Sequence, residues 1–253
     1  MLHNRRGAWR SLPGTPLVRR SVRALRRYGL RGAAIHGWTA FRELPATRRT
    51  AKQARAFDVA TGVETAGVVR LEALSIESEN AALGHRYQAS EAGSLRRTLA
   101  SLPVEYEQFV FVDIGSGKGR ALLVAAEFPF KQIIGVEFAP ELNDVARQNL
   151  AAYSGERRCA WIEVITADAA DYSIPDDPVI LYFYNPFLEP VMSRVMDRVS
   201  ASLGAEPRPA FIVLTSGTPF QTILKRAGFT RVNDLPDDVA DEVYAGPVMA
   251  PAR

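Results

Sequence analysis

Residues 109–119 read FVFVDIGSGKG, and this stretch decides the fold class of the chain. Its first six residues are mostly apolar and lead directly into a loop with glycines at positions 115, 117 and 119. A short apolar run of this kind is typical of a buried strand in a parallel sheet. The glycines allow a sharp turn and let a ligand lie against bare main chain. The stretch therefore predicts a strand, a ligand-binding loop and a helix, in that order.

Strands and helices alternate on the C-terminal side of this loop. The alternation predicts a parallel sheet with helices on both faces. Right-handed crossovers bring the carboxyl ends of such strands to one edge, where a ligand crevice opens. The predicted strands are residues 109–114, 132–137, 161–166, one strand within 178–186, and 209–215, and the predicted helices are residues 120–127, 141–153, 188–203 and 219–227.

The residue after the last glycine separates two kinds of nucleotide site. A dinucleotide-binding loop needs glycine or alanine at position 120, beside the helix N-terminus that binds the pyrophosphate. This chain has Arg120 there, which disfavours a nicotinamide-dependent oxidoreductase. The loop is better suited to a nucleoside that carries an amino-acid tail, and the oxidoreductase stays as an alternative.

An acid and three alternate glycines after the first strand resemble the class I, Rossmann-like S-adenosylmethionine-dependent methyltransferases. The resemblance implies a mostly parallel seven-stranded sheet with helices on both faces, and S-adenosyl-L-methionine as the cofactor. In that family the loop lines the cofactor, and the acid before it helps to hold the methionine end. The resemblance implies these roles for Asp113, Gly115, Ser116, Gly117 and Gly119. Asp113 is also a candidate for bracing the amides of the loop.

Acids at the next two strand ends extend the resemblance. Glu137 ends the second strand, where a carboxylate can accept hydrogen bonds from both ribose hydroxyls. Phe138 follows it and is a candidate to pack on adenine. Asp168 and Ala169 follow the third strand, where the family places its contact to the adenine amine, and Asp171 is a competing candidate.

The fourth strand ends in Tyr184, Asn185, Pro186 and Phe187, at the position that faces the transferable methyl group in this family. Some N-methyltransferases carry Asn-Pro-Pro-Tyr there, and the asparagine and a proline carbonyl accept the hydrogens of the target amine. The single proline of this motif disfavours a nucleobase amine, but Asn185 and Tyr184 remain the predicted catalytic residues. Upstream, Tyr87 is predicted to reach the methionine end of the cofactor if its segment folds over the site.

The chain begins with a strongly basic stretch. Residues 1–57 contain 14 lysines and arginines and one acid, Glu43, so they carry about +13 while the rest carries about −10. This asymmetry predicts an anionic partner, either a membrane surface or a nucleic acid, and the apolar residues within 21–42 leave docking on the core as a third use. We divide the chain into a basic N-terminal extension, partly disordered or helical (1–57), a cofactor-capping loop and helix (58–103) and the methyltransferase core (104–253).

The remaining composition limits the function classes. One cysteine and three scattered histidines have no metal-ligand spacing, so we predict no metal. No apolar stretch is long enough to span a bilayer, and we expect a cytoplasmic protein, peripheral to a membrane if the arm binds one. The predicted reaction transfers the sulfonium methyl group to a nitrogen or oxygen of a protein side chain or small molecule. The remaining alternative is a non-catalytic cofactor-binding module that acts through its basic arm.

Overall fold

The computed structural model of the chain describes residues 48–215 and 219–248. By its internal contacts the chain divides into two units, residues 1–47 and residues 48–253. The predictions made for the basic tail and for residues 21–42 lie outside the described residues. Within 48–215 and 219–248, no helix is both long and apolar enough to cross a bilayer.

A helix and an irregular segment precede the sheet. The segment holds a two-residue antiparallel pair, in which Val68 lies opposite Gln88, and it is followed by a helix that packs against the first helix of the core. These elements are α1 (Arg48–Thr61), β1 (Val68–Val69), β2 (Tyr87–Gln88) and α2 (Ala92–Ser101), with short 3₁₀ helices at Leu71–Ala73, Glu79–Leu83 and Tyr106–Gln108.

The core alternates strands and helices as the sequence predicts. Helices or loops connect its first strands, which run parallel to one another. Its last two strands pair antiparallel. The core elements are β3 (Val110–Ile114), α3 (Arg120–Ala125), β4 (Gln132–Glu137), α4 (Pro140–Ala152), β5 (Ile162–Thr166), β6 (Val179–Phe183), α5 (Glu189–Ala205), β7 (Ala210–Leu214), α6 (Gln221–Arg226), β8 (Thr230–Arg231) and β9 (Glu242–Ala245).

The seven core strands form one sheet in the order β5-β4-β3-β6-β7-β9-β8. Strands β3 to β7 pair in parallel, whereas β9 runs antiparallel to both β7 and β8. The predicted mostly parallel seven-stranded sheet is therefore confirmed. Every residue of β3, β6 and β7 is buried, which explains their continuous apolar sequences.

The strand order reverses direction at β3, and this reversal positions the site. The chain leaves β3 toward β4 and β5 on one side and returns to β6 and β7 on the other. The connections that leave the carboxyl ends of β3 and β6 therefore diverge. A crevice opens between them at that edge of the sheet, as expected at a topological switch point.

Candidate active site

A cavity of about 850 Å³, including the solvent at its mouth, lies at this edge of the sheet. One wall comes from the residues at the ends of β3, β4 and β6. The opposite wall comes from the irregular segment before α2. The residues that matter for the chemistry are Tyr87, Ser90, Asp113, Gly115, Ser116, Arg120, Glu137, Phe138, Asp168, Ala169, Tyr184 and Asn185.

The glycine-rich loop is fixed by its contacts to β4 and to the loop after β6. The amides of Gly115 and Ser116 donate to the Val136 carbonyl at 2.8 and 3.1 Å. Gly115 has a φ of +87°, and a Cβ there would lie 2.5 Å from Pro186 Cβ. Glycine is therefore needed at 115 both for the backbone conformation and for the close approach of the two loops.

Glu137 braces this loop from the end of β4. Its Oε2 accepts from the Gly117 amide and its Oε1 from the Ala139 amide, each at 3.0 Å. The side chain is buried, and burial raises the pKa of Glu137 while the backbone hydrogen bonds oppose that shift. The structure thus gives Glu137 the bracing role that the sequence analysis considered for Asp113.

Asp113 lies beside Glu137 with no such support. Only 3% of Asp113 is exposed, and its Oδ1 finds no hydrogen-bond partner among the described residues. Burial, and next the charge of Glu137, raise the pKa of Asp113 well above its usual range. A buried carboxyl without a partner is costly, so this site is suited to a ligand group that donates hydrogen bonds or carries positive charge.

Asp168 connects the end of β5 to the upstream segment. It accepts hydrogen bonds from the Ser78 hydroxyl, from Asn80 Nδ2 at 2.8 Å and from the Ala170 amide at 2.8 Å. Burial acts to raise the pKa of Asp168, but these hydrogen bonds outweigh it and the pKa is lowered. The competing candidate, Asp171, does not line the cavity and instead pairs with two surface arginines.

The loop after β6 is clamped to the upstream segment by backbone contacts. The Pro186 carbonyl accepts from the His85 amide, and the Leu83 carbonyl accepts from the Leu188 amide, both at 2.9 Å. Asn185 has a φ of +49°, and among the described residues it is the only non-glycine with positive φ. Its side chain is exposed at the cavity. Strain of this kind is often kept at functional positions, although asparagine tolerates it better than most residues.

Two tyrosines line the cavity from opposite walls. Burial raises the pKa of Tyr184, as do the charges of Asp241 and Glu91. Burial also raises the pKa of Tyr87, whose hydroxyl donates to the Thr65 carbonyl at 2.5 Å. Both phenols are therefore protonated at neutral pH and can position a ligand, but they are poor general bases.

Most of the predicted site residues meet at this one cavity. Gly117 and Gly119 do not line it, since their α-carbons face Tyr87 and Ala146 instead. Glu189, the first residue of α5, also does not line the cavity. His85 does line the cavity.

Arg120 lines the cavity and is almost fully buried, and its contacts are not evident from the sequence. In the sequence this residue is only a departure from a dinucleotide-binding loop. Its partners lie 30 to 66 residues upstream, and no local pattern links them to it.

Comparison with known proteins identifies the core. Residues 112–202 match the family model described as a methyltransferase domain. The matched range contains the glycine-rich loop, Glu137, Asp168 and Asn185. Residues 112–202 therefore match a methyltransferase domain, and the resemblance of the sequence to methyltransferases is confirmed over this range. A comparison with curated proteins gave no match.

Solved structures similar to this chain include several methyltransferases. N,N-8-amino-8-demethyl-D-riboflavin dimethyltransferase from Streptomyces davawensis is 20% identical, with 60% of this chain and 53% of that chain covered and a TM-score of 0.46. A predicted N6-adenine-specific DNA methylase from Listeria monocytogenes is 13% identical, with coverages of 63% and 52% and a TM-score of 0.44. An RNA methyltransferase from Salinibacter ruber, in complex with S-adenosyl-L-homocysteine, is 18% identical, with coverages of 66% and 97% and a TM-score of 0.40. The chain spans about half the length of the first two structures.

Proposed function

We propose that this chain binds S-adenosyl-L-methionine and transfers its methyl group to a nitrogen or oxygen nucleophile of a small molecule or a protein side chain. The observation that carries the proposal is the pair of buried carboxyls, Asp113 and Glu137, in one cavity of the methyltransferase domain. Asp113 Oδ1 has no hydrogen-bond partner among the described residues. Burial, and next the charge of Glu137, raise the pKa of Asp113. A ligand with a cationic amino-acid end supplies the charge and the donors that this carboxyl lacks.

The cavity residues fit the three parts of the cofactor. Asp113 would hold the ammonium of the methionine end. Glu137 would accept from the ribose hydroxyls with the lone pairs that Gly117 and Ala139 leave free. Asp168 and Phe138 would hold the adenine. When bound, the cofactor supplies an already activated methyl group, so the protein's part is to orient the nucleophile and exclude water.

The acceptor side favours a nucleophile other than a nucleobase amine. In the N-methyltransferases that carry Asn-Pro-Pro-Tyr, both the asparagine and a proline carbonyl accept hydrogen bonds from the target amine. Here the Pro186 carbonyl already accepts from the His85 amide at 2.9 Å, and Phe187 replaces the second proline. Asn185 and Tyr184 are therefore left as the groups that would orient the acceptor.

Thermal unfolding with and without ligand tests the proposal. S-adenosylhomocysteine at 100-fold above its dissociation constant should stabilise the fold by about 2.7 kcal/mol, which is readily seen as a rise in Tm. NAD(H) and NADP(H) should give no rise, and a rise with either of them would favour the oxidoreductase. If the folded protein shows no shift with S-adenosylhomocysteine or S-adenosylmethionine, the proposal is wrong.

Methyl transfer itself needs a second experiment, because binding alone does not show catalysis. Cell extract incubated with the protein and methyl-labelled cofactor should acquire label in protein or small-molecule fractions. Asp113→Asn is the matched control, since it retains the side-chain shape but removes the charge that the ammonium needs. Stabilisation by S-adenosylhomocysteine without any protein-dependent label would indicate a non-catalytic cofactor-binding module instead.

A further inference from the structure

We propose that helix α1 helps the site to retain its cofactor, and that Arg120 is the positioning residue that couples α1 to the cavity wall formed by Tyr87. This inference rests on the proposed function. It extends the site to residues that lie more than 45 positions before the matched methyltransferase domain, which begins at residue 112.

Arg120 connects three segments at the base of the glycine-rich loop. It is the first residue of α3, and only 3% of it is exposed. Its Nη2 donates to the Ala54 carbonyl and to Asp58 Oδ1 of α1, both at 2.9 Å. Its Nε donates to Thr65 Oγ1 at 2.6 Å, and its Nη1 to the Ser90 carbonyl at 3.3 Å. The guanidinium also lies 5.0 Å from the centre of the Phe57 ring.

Asp58 completes this cluster from α1. Its Oδ1 accepts from Thr65 Oγ1 at 2.7 Å as well as from Arg120. Its Oδ2 accepts from the amides of Thr65 and Ala66 at 2.8 and 2.6 Å. Thr65 is fully buried, so the position of its backbone is set by Asp58 and Arg120 together.

Thr65 contacts Tyr87, which lines the cavity. The Thr65 carbonyl accepts from the Tyr87 hydroxyl at 2.5 Å. The Tyr87 ring lies so close to Gly117 that a Cβ there would come within 2.3 Å of two ring carbons. The amide of Gly117 in turn donates to Glu137. A continuous set of contacts therefore runs from α1 to the carboxylate assigned to the ribose.

A purely structural role would not require this placement. A buried ion pair is often no more stabilising than apolar residues of similar volume, but it holds its neighbours in a defined geometry. Here Arg120 of the ion pair and its hydrogen-bond partner Ser90 both line the cavity. The cluster thus fixes the wall that faces the glycine-rich loop, and loosening it should speed the loss of bound cofactor.

A matched pair of tyrosine variants tests this inference in the full chain. Tyr87→Phe and Tyr106→Phe each remove a tyrosine hydroxyl that donates to a backbone carbonyl at 2.5 Å, but Tyr106 is half-buried against the core and does not line the cavity. Both variants should lower Tm to a similar extent. S-adenosylhomocysteine should dissociate roughly 2- to 10-fold faster from Tyr87→Phe, the effect of losing one hydrogen bond, and at the wild-type rate from Tyr106→Phe.

Asp58→Asn extends the test to α1. This variant should also speed dissociation, and its effect should not add to that of Tyr87→Phe because both act through Thr65. Hydrogen exchange provides a measurement without ligand, and Asp58→Asn should increase exchange in residues 84–90 and 115–119. If the wild type binds S-adenosylhomocysteine but these variants show unchanged dissociation and hydrogen exchange, the role of α1 is overturned and the proposed function is not. Absence of S-adenosylhomocysteine binding by the wild type would overturn the proposed function and this inference together.

Discussion

The carboxyl groups of Asp113 and Glu137 share one cavity but have different surroundings. Judged from sequence alone, Glu137→Ala is the cleaner test of cofactor binding, because Asp113 is also a candidate for bracing the loop. Affinity should then fall roughly 10- to 150-fold with the fold unaffected. The structure reverses this choice, because Glu137 accepts from the Gly117 and Ala139 amides. Glu137→Ala would disturb the loop and the ribose contact at once, whereas Asp113 can be changed without removing a hydrogen bond seen in the structure.

Asp113→Asn should therefore separate ligand affinity from stability. The variant should bind S-adenosylhomocysteine roughly 10- to 150-fold more weakly, as expected for losing a charged hydrogen bond. The ligand-free variant should nevertheless unfold at a higher temperature than the wild type at pH 7. Isothermal titration and thermal unfolding at pH 4 and pH 7 would measure both effects.

The direction of the stability change follows from the pKa of Asp113. Burial, and then Glu137, raise that pKa in the folded state, so the folded chain holds a proton that the unfolded chain releases. Stability from this group is full below the unfolded pKa and is lost as pH rises toward the folded pKa. Asparagine cannot ionise, so the variant escapes this loss, and its advantage should vanish near pH 4. An equal advantage at both pH values would contradict this reason.

Cofactor affinity should show the opposite dependence on pH. The ammonium of the methionine end favours ionised Asp113, whose pKa is raised in the free protein. Affinity for S-adenosylhomocysteine should therefore increase as pH rises toward the raised pKa of Asp113, with release of a proton on binding. Titrations in buffers of different ionisation enthalpy would detect that proton. Asp113→Asn should flatten the profile, and a flat wild-type profile would show that Asp113 is not the group that meets the ammonium.

The loop after β6 combines backbone strain with a side chain at the cavity. Asn185 has a φ of +49°, so Asn185→Ala changes the backbone energy as well as the side chain. Asn185→Gly removes the same side chain but accepts the backbone conformation. We expect both variants to lose turnover on the order of 100-fold if the asparagine orients the acceptor. Only Asn185→Ala should also lose about 1–2 kcal/mol of stability.

Methyl-labelled cofactor with responsive cell extract would measure this turnover, and thermal unfolding would measure stability. S-adenosylhomocysteine affinity should remain near the wild-type value in both variants, because the proposed cofactor contacts lie at the ends of β3, β4 and β5. Loss of cofactor binding with unchanged turnover per bound cofactor would contradict the acceptor role of Asn185.

The sequence predicted those elements whose signals are local. Each of β3, β6 and β7 is a run of buried residues, and β4 is buried after Gln132. The glycines after β3 and the acid that ends β4 mark the crevice. The last two strands escaped prediction because β8 has two exposed residues and β9 mixes Glu242 with apolar positions in a four-residue strand. β9 is defined by pairing with β7 and β8 by pairing with β9, and a short sequence window does not contain these partners.

The cofactor-capping loop and helix (58–103) were also predicted only in part, because their contacts within the site are not local in sequence. Tyr87 was predicted to reach the cofactor, and it does line the cavity. Its support by Thr65, Asp58 and Arg120 was not predicted, because these residues are brought together only by the tertiary fold. Asp58, Thr65 and Arg120 look like an ordinary helical acid, a loop threonine and a helical arginine when each is considered in sequence.

At the scale of the whole molecule, the boundary between the two units lies after residue 47 and not after residue 57. We divided the sequence after residue 57, but α1 runs from Arg48 to Thr61 and so crosses that position. Phe57 and Asp58, on either side of it, both contact Arg120. Removal of the basic arm for functional study should therefore stop before α1, and a chain that begins at Ala46 retains the whole helix.

The basic arm should give the full chain a salt-dependent affinity for anionic surfaces. Residues 1–57 carry about +13, and each lysine or arginine near an anionic bilayer contributes about 1 kcal/mol, which salt screens. We expect the full chain to bind vesicles that contain phosphatidylserine, and to release them as salt is raised. The chain that begins at Ala46 lacks most of this charge and should bind far more weakly. Vesicle co-sedimentation at several salt concentrations would measure the difference.

A full-length variant separates charge from the apolar residues of the arm. Arg23, Arg26, Arg27 and Arg31 changed to glutamine would keep the length and the apolar face of residues 21–42. If electrostatic attraction drives binding, this variant should bind vesicles weakly at every salt concentration. Binding of duplex DNA or RNA measured in parallel would favour a nucleic-acid partner if it exceeded vesicle binding at the same salt, since phosphate contacts also weaken steeply with salt. Equal binding by all three chains would show that the arm is not the anion-binding element, and a lower Tm on its removal would favour docking on the core.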